Sequence, residues 1–121
     1  MSYIIDLEHY DDVRGSLTVI DHVLPFEIKR SYYITKVNQL DRGGHRHMVL
    51  VEAIICLNGS FIVTIHDGTK KEEILLDSPH KCLIIEVGEW HKFSEFSQGA
   101  VLLSLASTHY DKTDYIYEPY D

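Results

Sequence analysis

The sequence is short of basic residues, of cysteine and of long apolar runs, and each shortage excludes a class of protein. Eleven lysines and arginines stand against 19 acidic residues, a net charge of −8 with neutral histidines. Broad nucleic-acid binding needs neutralised phosphates and is not expected. No stretch reaches the roughly 18 consecutive apolar residues of a membrane helix. Residues 1–12 lack the basic start of a secretion signal. We therefore expect a cytoplasmic protein that binds neither nucleic acid nor membrane.

The scarce cysteines and arginines are informative through their positions. Cys56 and Cys82 each lie within an apolar run, which predicts buried free thiols rather than a disulfide. All the arginines fall within the first 46 residues. A local basic pocket for a small anionic ligand is therefore compatible with an acidic chain.

The periodicity is that of short β-strands. Several segments rich in β-branched and aromatic residues often alternate apolar and polar positions, with turn sequences such as LNGS between them. These segments are 16–21, 26–37, 49–57, 60–67, 72–77, 81–87 and 100–107. None has the pattern of an amphipathic helix, and 121 residues suit one domain. We predict a single all-β domain over residues 1–121, folded as an antiparallel sandwich or barrel.

Residues 41–60 hold the side chains best suited to chemistry. His45 and His47 stand two apart, so on a strand they point to the same face. Burying two imidazoles inside a sandwich is costly unless they have a partner or a task. Glu52 follows on the next strand, and His91 comes directly after a glycine turn. Imidazole and carboxylate side chains also suit a divalent metal.

This spacing resembles the cupin signature, in which H-x-H is followed by Glu, Gly and a later G-x-x-H. The blocks LPFEIKRSYYI, RGGHRH, CLNGS, LDSP, VGEWH and LASTHYDKTDYI also run in the order found in the sugar 3,4-ketoisomerases. These are the FdtA- and QdtA-like cupins that act on dTDP-4-oxo-6-deoxyglucose. The resemblance covers about residues 10–120. It implies a homodimeric cupin jelly roll and a dTDP-linked 4-keto-6-deoxy sugar as substrate. It also implies isomerisation without metal or organic cofactor, in deoxyamino-sugar biosynthesis for surface glycans.

The resemblance also assigns roles to individual residues. By alignment with the family, His45 is the base that removes the proton on carbon 3. His47 polarises the ketone or moves a proton between the two oxygens, and Tyr32 donates to the enediolate. Histidine suits such proton transfers near neutral pH, and arginine suits a diphosphate. The residues expected to bind substrate are Arg14, Arg30, Arg42, Glu52 and His91. Arg46, between the two histidines, is expected to face the opposite side of its strand.

Two of these positions bear on the product. Family members that form the galacto product carry Arg and His where this chain has Arg14 and His91, and gluco-forming members tend to carry Tyr and Arg. In the gluco substrate, the hydrogen on carbon 3 lies on the ring face that receives the carbon 4 hydrogen of a galacto product. One base can therefore move the proton, and we expect the galacto product.

Two alternatives stay open, and the first of them rests on Glu52. Family members usually carry Gln at this position, and the glutamate restores the carboxylate of metal-binding cupins. One alternative is therefore a metal-dependent cupin enzyme that uses His45, His47, Glu52 and His91. The other is a noncatalytic cupin that binds a nucleotide sugar.

Overall fold

The computed structural model describes residues 2–120. Within them, twelve β-strands and one turn of 3-10 helix follow one another along the chain. The strands are β1 (Tyr3–Asp6), β2 (His9–Asp12), β3 (Gly15–Thr18), β4 (Arg30–Ile34), β5 (Arg42–His47), β6 (Glu52–Asn58), β7 (Phe61–His66), β8 (Lys71–Leu76), β9 (Lys81–Ile85), β10 (Trp90–Ser94), β11 (Val101–Ala106) and β12 (Tyr115–Ile116), and the helical turn is Lys112–Asp114.

The strands form two five-stranded antiparallel sheets and a separate hairpin. The first sheet has the order β1-β9-β6-β11-β4 and the second the order β12-β5-β10-β7-β8, while β2 pairs with β3. The prediction of an all-β antiparallel sandwich is confirmed. No helix among residues 2–120 is long and apolar enough to cross a membrane.

The first sheet is buried on both faces. On β6, Ile54 and Cys56 join the core shared with the second sheet, whereas Ala53 and Ile55 join a second core on the outer face. The irregular segment 19–28 covers that outer face with Leu24 and other apolar side chains. Burial on both faces explains why β6 reads as an unbroken apolar run. Because side chains alternate along a strand, Glu52 shares the inner face with Ile54.

Both cysteines are buried free thiols, as predicted. Burial raises the pKa of the Cys82 thiol to about 12. A thiol with so high a pKa carries almost no thiolate near neutral pH and is therefore unreactive.

Candidate active site

Three strands bring the histidine cluster together, defined here as His45, His47, Glu52 and His91. β5 carries His45 and His47, β10 pairs with it so that His91 lies opposite His45, and β6 begins at Glu52. One ligand-type atom from each of the four lies within 4.8 Å of the others. The ring centroid of His45 is 4.8 Å from that of His47 and 4.9 Å from that of His91.

Glu52 lies at the centre of the cluster and is only 3% exposed. Its Oε2 accepts hydrogen bonds from the hydroxyls of Tyr32 at 2.8 Å and Ser104 at 2.6 Å. Its Oε1 lies 3.5 Å from Nε2 of both His47 and His91. Burial by itself raises the pKa of this carboxyl. The two imidazoles and the Ser104 hydroxyl outweigh burial and hold the pKa well below its usual value. Glu52 is therefore an anion.

His47 lies between two carboxylates. Its Nε2 faces Glu52, and its Nδ1 is 3.5 Å from Oδ2 of Asp114. Asp114 is itself fixed, because its oxygens accept three successive backbone N–H groups of residues 48–50 at 2.9, 2.9 and 3.1 Å. With 3% of its surface exposed, His47 is buried between these two carboxylates, and neither of its ring nitrogens is within hydrogen-bond geometry of them.

His91 is fully buried beneath the cluster. Its Nδ1 lies 3.0 Å from the carbonyl oxygen of Glu89. A carbonyl only accepts, so Nδ1 carries a proton and Nε2 is turned toward Glu52. Glu89 is itself fixed, because its carboxylate accepts hydrogen bonds from the backbone N–H groups of Ser2 and Glu86. His91 therefore has a fixed partner on its Nδ1 side, and its Nε2 lies next to the Glu52 carboxylate.

His45 is the half-buried member of the cluster. The rings of Tyr115 and Tyr117 border its imidazole at centroid distances of 4.6 and 6.2 Å. Burial, followed by repulsion from His91 and His47, lowers the pKa of His45 to about 4, although the Glu52 charge acts in the opposite direction. Its imidazole is therefore neutral near neutral pH and has a lone pair free to accept a proton.

The structure places the expected substrate-binding arginines at different distances from the cluster. The Arg30 guanidinium lies over the rings of Tyr32 and Tyr110, at 5.1 and 5.4 Å from their centroids. Arg42 is exposed at the start of β5 and lines a cleft with Lys36. Arg30 therefore adjoins the cluster, and Arg42 lies three residues along the strand from His45.

Arg14 lies elsewhere in the chain. It is exposed in the turn between β2 and β3, where its guanidinium pairs with Asp12. This hairpin joins the first sheet beside His80, which precedes β9, whereas Glu52 pairs with Ile85 at the other end of that strand. The fold of a single chain therefore does not bring Arg14 to the histidine cluster.

Arg46 faces away from the histidines, as expected, and its guanidinium lies 4.1 Å from the centroid of the Tyr120 ring. The Arg46 side chain is half-buried, and its Nε atom is fully buried.

Two tyrosines contact members of the histidine cluster. Tyr32, predicted as the donor to the enediolate, points its hydroxyl at Glu52. Burial, together with the negative charge of Glu52, raises the pKa of Tyr32 far above its ordinary value, so this hydroxyl stays protonated. Tyr115, to which no role was assigned from the sequence, lies nearer to His45 than Tyr117 does. Sequence reasoning missed Ser104, Glu89, Asp114 and Tyr115, although the family-specific block TDYI contains the last two.

The cluster also fits a divalent metal. Two ligands of a tetrahedral zinc ion at ~2.0–2.1 Å lie about 3.4 Å apart, close to the 3.5 Å that separates Oε1 of Glu52 from each facing Nε2. Among the described residues, the Nε2 atoms of His47 and His91 are buried without a hydrogen-bond partner. Such an ion would be held by His45, His47, Glu52 and His91, and would supply Lewis-acid polarisation of a carbonyl.

Comparison with known proteins gives consistent matches over almost the whole chain. The family model FdtA, described as WxcM-like, C-terminal, matches residues 1–121. The curated TDP-4-oxo-6-deoxy-alpha-D-glucose-3,4-oxoisomerase of Aneurinibacillus thermoaerophilus is 44% identical over 117 residues, covering 93% of this chain and 84% of the relative.

Solved structures of the QdtA 3,4-ketoisomerase from Thermoanaerobacterium thermosaccharolyticum superpose closely. A double mutant in complex with TDP, with one tyrosine changed to arginine and one arginine to histidine, is 42% identical with a TM-score of 0.94. A mutant with one histidine changed to asparagine, in complex with TDP-4-keto-6-deoxyglucose, is 39% identical with a TM-score of 0.94. Both matches cover 97% of this chain and 87% of the QdtA chain.

Proposed function

The chain belongs to the FdtA family, and from this membership and the geometry of the histidine cluster we infer that it is a 3,4-ketoisomerase of dTDP-4-keto-6-deoxyglucose. The observation that carries the proposal is a neutral, half-buried His45 over a buried carboxylate, in a chain so similar to enzymes of that activity. Incubation with this substrate, followed by NMR of the sugar, tests it. Formation of the 3-keto sugar is expected. Binding without turnover at high enzyme concentration would overturn the proposal in favour of a noncatalytic binder.

The reaction moves a ketone from carbon 4 to carbon 3 by proton transfer. A base removes the hydrogen on carbon 3 as a proton, and the electron pair of that bond forms the enediolate. A proton then returns to carbon 4, and the oxygen on carbon 3 gives up its own proton to become the new carbonyl. The neutral imidazole of His45 accepts the carbon-bound proton, because its Nε2 or Nδ1 lone pair is free near neutral pH.

The buried residues stabilise the charges that develop during this transfer. Once His45 has accepted the proton, its imidazolium is attracted by the Glu52 anion, which already raises the pKa of His45. His47 and His91 hold that carboxylate in place from two sides. The enediolate needs donors, and the Tyr115 hydroxyl with the neighbouring Arg30 guanidinium is the pair we assign to it. In this assignment Tyr32 positions Glu52.

A galacto product is the outcome we assign to this chain. Arg14 and His91 carry the assignment, because arginine and histidine at these two positions are typical of galacto-forming members of the family. The QdtA double mutant, which gains one arginine and one histidine, is 42% identical to this chain.

The lowered pKa of His45 predicts the pH dependence of the reaction. Protonation removes the base, so we expect kcat/KM to be constant from neutral pH to about pH 5 and to fall as the pH drops through about 4. An ordinary histidine would place this fall near pH 6.5. Initial rates across this range, with circular dichroism to verify folding, provide the measurement. An acid limb centred near the ordinary histidine value would contradict the assignment of His45.

An activity assay after removal of metal distinguishes a metal-independent ketoisomerase from the metal-dependent alternative. We expect full activity after dialysis against EDTA, because a neutral imidazole needs no Lewis acid to accept the carbon 3 proton. Elemental analysis and the NMR assay are run on the same dialysed protein. Activity that disappears on dialysis and returns with added zinc or manganese would establish the alternative built on the histidine cluster.

A further inference from the structure

The C-terminal tail, defined here as residues 117–120, follows the last strand without adding to either sheet. β12 ends at Ile116, and residues 117–120 form neither strand nor helix. Pro119 has no backbone N–H to donate to a sheet. The first three residues of the tail are exposed, whereas Tyr120 at its end is half-buried. The contacts of Tyr120 are therefore the ones that can hold the far end of the tail.

Tyr120 contacts the face of the second sheet that lies opposite the histidine cluster. Its hydroxyl donates a hydrogen bond of 2.8 Å to the carbonyl of Gly88, in the turn before β10. The guanidinium of Arg46, which faces away from the cluster on β5, lies 4.1 Å from the centroid of its ring. The ring also packs against the backbone of Gly68, where an added Cβ would lie 3.3 Å from Cε1 of Tyr120. These three contacts, called the Tyr120 clasp below, tie the end of the tail to β5 and to the β7–β8 and β9–β10 turns.

Tyr117, at the start of the tail, borders the candidate active site. Its ring centroid lies 6.2 Å from that of His45 and 6.1 Å from that of Tyr115, on which it stacks at an interplanar angle of 26°. The side chain is nevertheless 65% exposed. Its backbone carbonyl accepts a hydrogen bond of 3.3 Å from the indole Nε1 of Trp90. A ring so exposed gains little from burial, so its place beside His45 depends on a backbone that is fixed at both ends.

We propose that Tyr120 is a positioning residue of the candidate active site, which it supports from the opposite face of β5 by holding Tyr117 in place. Only two residues lie between these tyrosines, and one of them is Pro119 with its restricted φ, so a shift at one end of the tail is transmitted to the other. The Tyr117 ring limits the motion of the half-buried His45 and of Tyr115, the donor that we assign to the enediolate. This inference rests on the proposed function.

A double-mutant cycle of Tyr117 and Tyr120 tests the proposal. We expect Tyr120→Ala to lower kcat about tenfold and to change KM less than about twofold, because it loosens the base without removing a contact to substrate. Tyr117→Ala should cause the same loss, and the double variant should lose no more, since Tyr120 acts through Tyr117. Tyr120→Phe gives up one hydrogen bond and keeps the ring over Arg46, so it should lose less than about threefold in kcat. Glu118→Ala, at an exposed residue of the same tail, is the matched control and should retain wild-type activity.

The fluorescence of Trp90, the single tryptophan of the chain, reports on the tail without turnover. Release of the Tyr117 carbonyl from the indole opens the ring to a quencher. We therefore expect the acrylamide quenching constant to rise in Tyr120→Ala and to stay at the wild-type value in Glu118→Ala. Tyr120→Leu, which keeps apolar bulk but loses the hydroxyl and the aromatic ring, is carried through the same assays. The test therefore does not depend on whether the alanine variant folds, which circular dichroism verifies.

Each other outcome is decisive. Wild-type kcat or unchanged quenching in Tyr120→Ala and Tyr120→Leu would overturn the proposal, because the clasp would then not hold the tail. Losses that add in the double variant would show that Tyr120 does not act through Tyr117. A wild-type protein without turnover would instead overturn the proposed function, and the positioning role with it. The quenching measurement would still decide whether Tyr120 holds the tail.

Discussion

Replacement of His45 by asparagine is expected to lower kcat by about 10³–10⁴-fold, in the upper range of what a general base contributes. Asparagine keeps a polar side chain of similar size but has no nitrogen lone pair that can accept a proton from carbon. The half-buried position of His45 means that its loss leaves the core intact. We therefore expect an unchanged melting temperature and unchanged affinity for TDP. The NMR assay gives the rate, and calorimetry gives the affinity.

His22→Asn is the matched control. His22 is exposed, with φ of 55°, a left-handed conformation that asparagine adopts readily. This variant should have wild-type activity. If His45→Asn turned over within tenfold of the wild type, another group would have to be the base.

The largest effect on stability is expected at Asp114. Its carboxylate accepts three backbone N–H groups, from the exposed Met48 and Val49 and from the buried Leu50, and lies beside Nδ1 of His47. Alanine removes all three acceptors. The buried N–H of Leu50 is then unsatisfied, which costs about 1–3 kcal/mol, and the loss of two further hydrogen bonds to a charged group adds to this. We expect Asp114→Ala to lower the free energy of unfolding by about 4 kcal/mol, measured by urea denaturation.

Comparison with Asp114→Asn separates lost hydrogen bonds from lost charge. Oδ1 accepts two of the three N–H groups and Oδ2 accepts the third. Asparagine has one acceptor oxygen, so its NH₂ group would face the N–H of Leu50, and we expect about half the loss seen with alanine. Asp21→Ala, at an exposed loop residue, should change stability by less than about 0.5 kcal/mol. Asp114→Ala within 1 kcal/mol of wild type would contradict the anchoring role.

Much of the strand pattern could be read from the sequence, because alternation reports which side of a strand is buried. β7 and β9 lie where their apolar periodicity places them. β12 could not be read, since it is two residues long and forms by pairing with β5. Segment 26–37 reads as one strand, yet β4 occupies only Arg30–Ile34, and the preceding residues cover the outer face of the first sheet instead.

The site was partly readable for a similar reason. Their spacing on one strand places His45 and His47 on the same face. How deeply each side chain is buried, however, depends on the opposite sheet and on the C-terminal segment. His47 is buried by Asp114 and Tyr115, which come from 67 or more residues further along the chain. The exposure of Arg14 on an unsupported hairpin is likewise a property of the tertiary structure.

Transfer of the carbon 3 hydrogen is the central step, and substrate labelled with deuterium at carbon 3 follows it directly. If His45 takes the label and a proton returns to carbon 4 on the same ring face, NMR will show a 3-keto sugar of galacto configuration. Its deuterium will have moved to carbon 4 or exchanged with solvent. Recovery of the substrate with its label still on carbon 3, at enzyme concentrations high enough to saturate it, would refute the assigned chemistry.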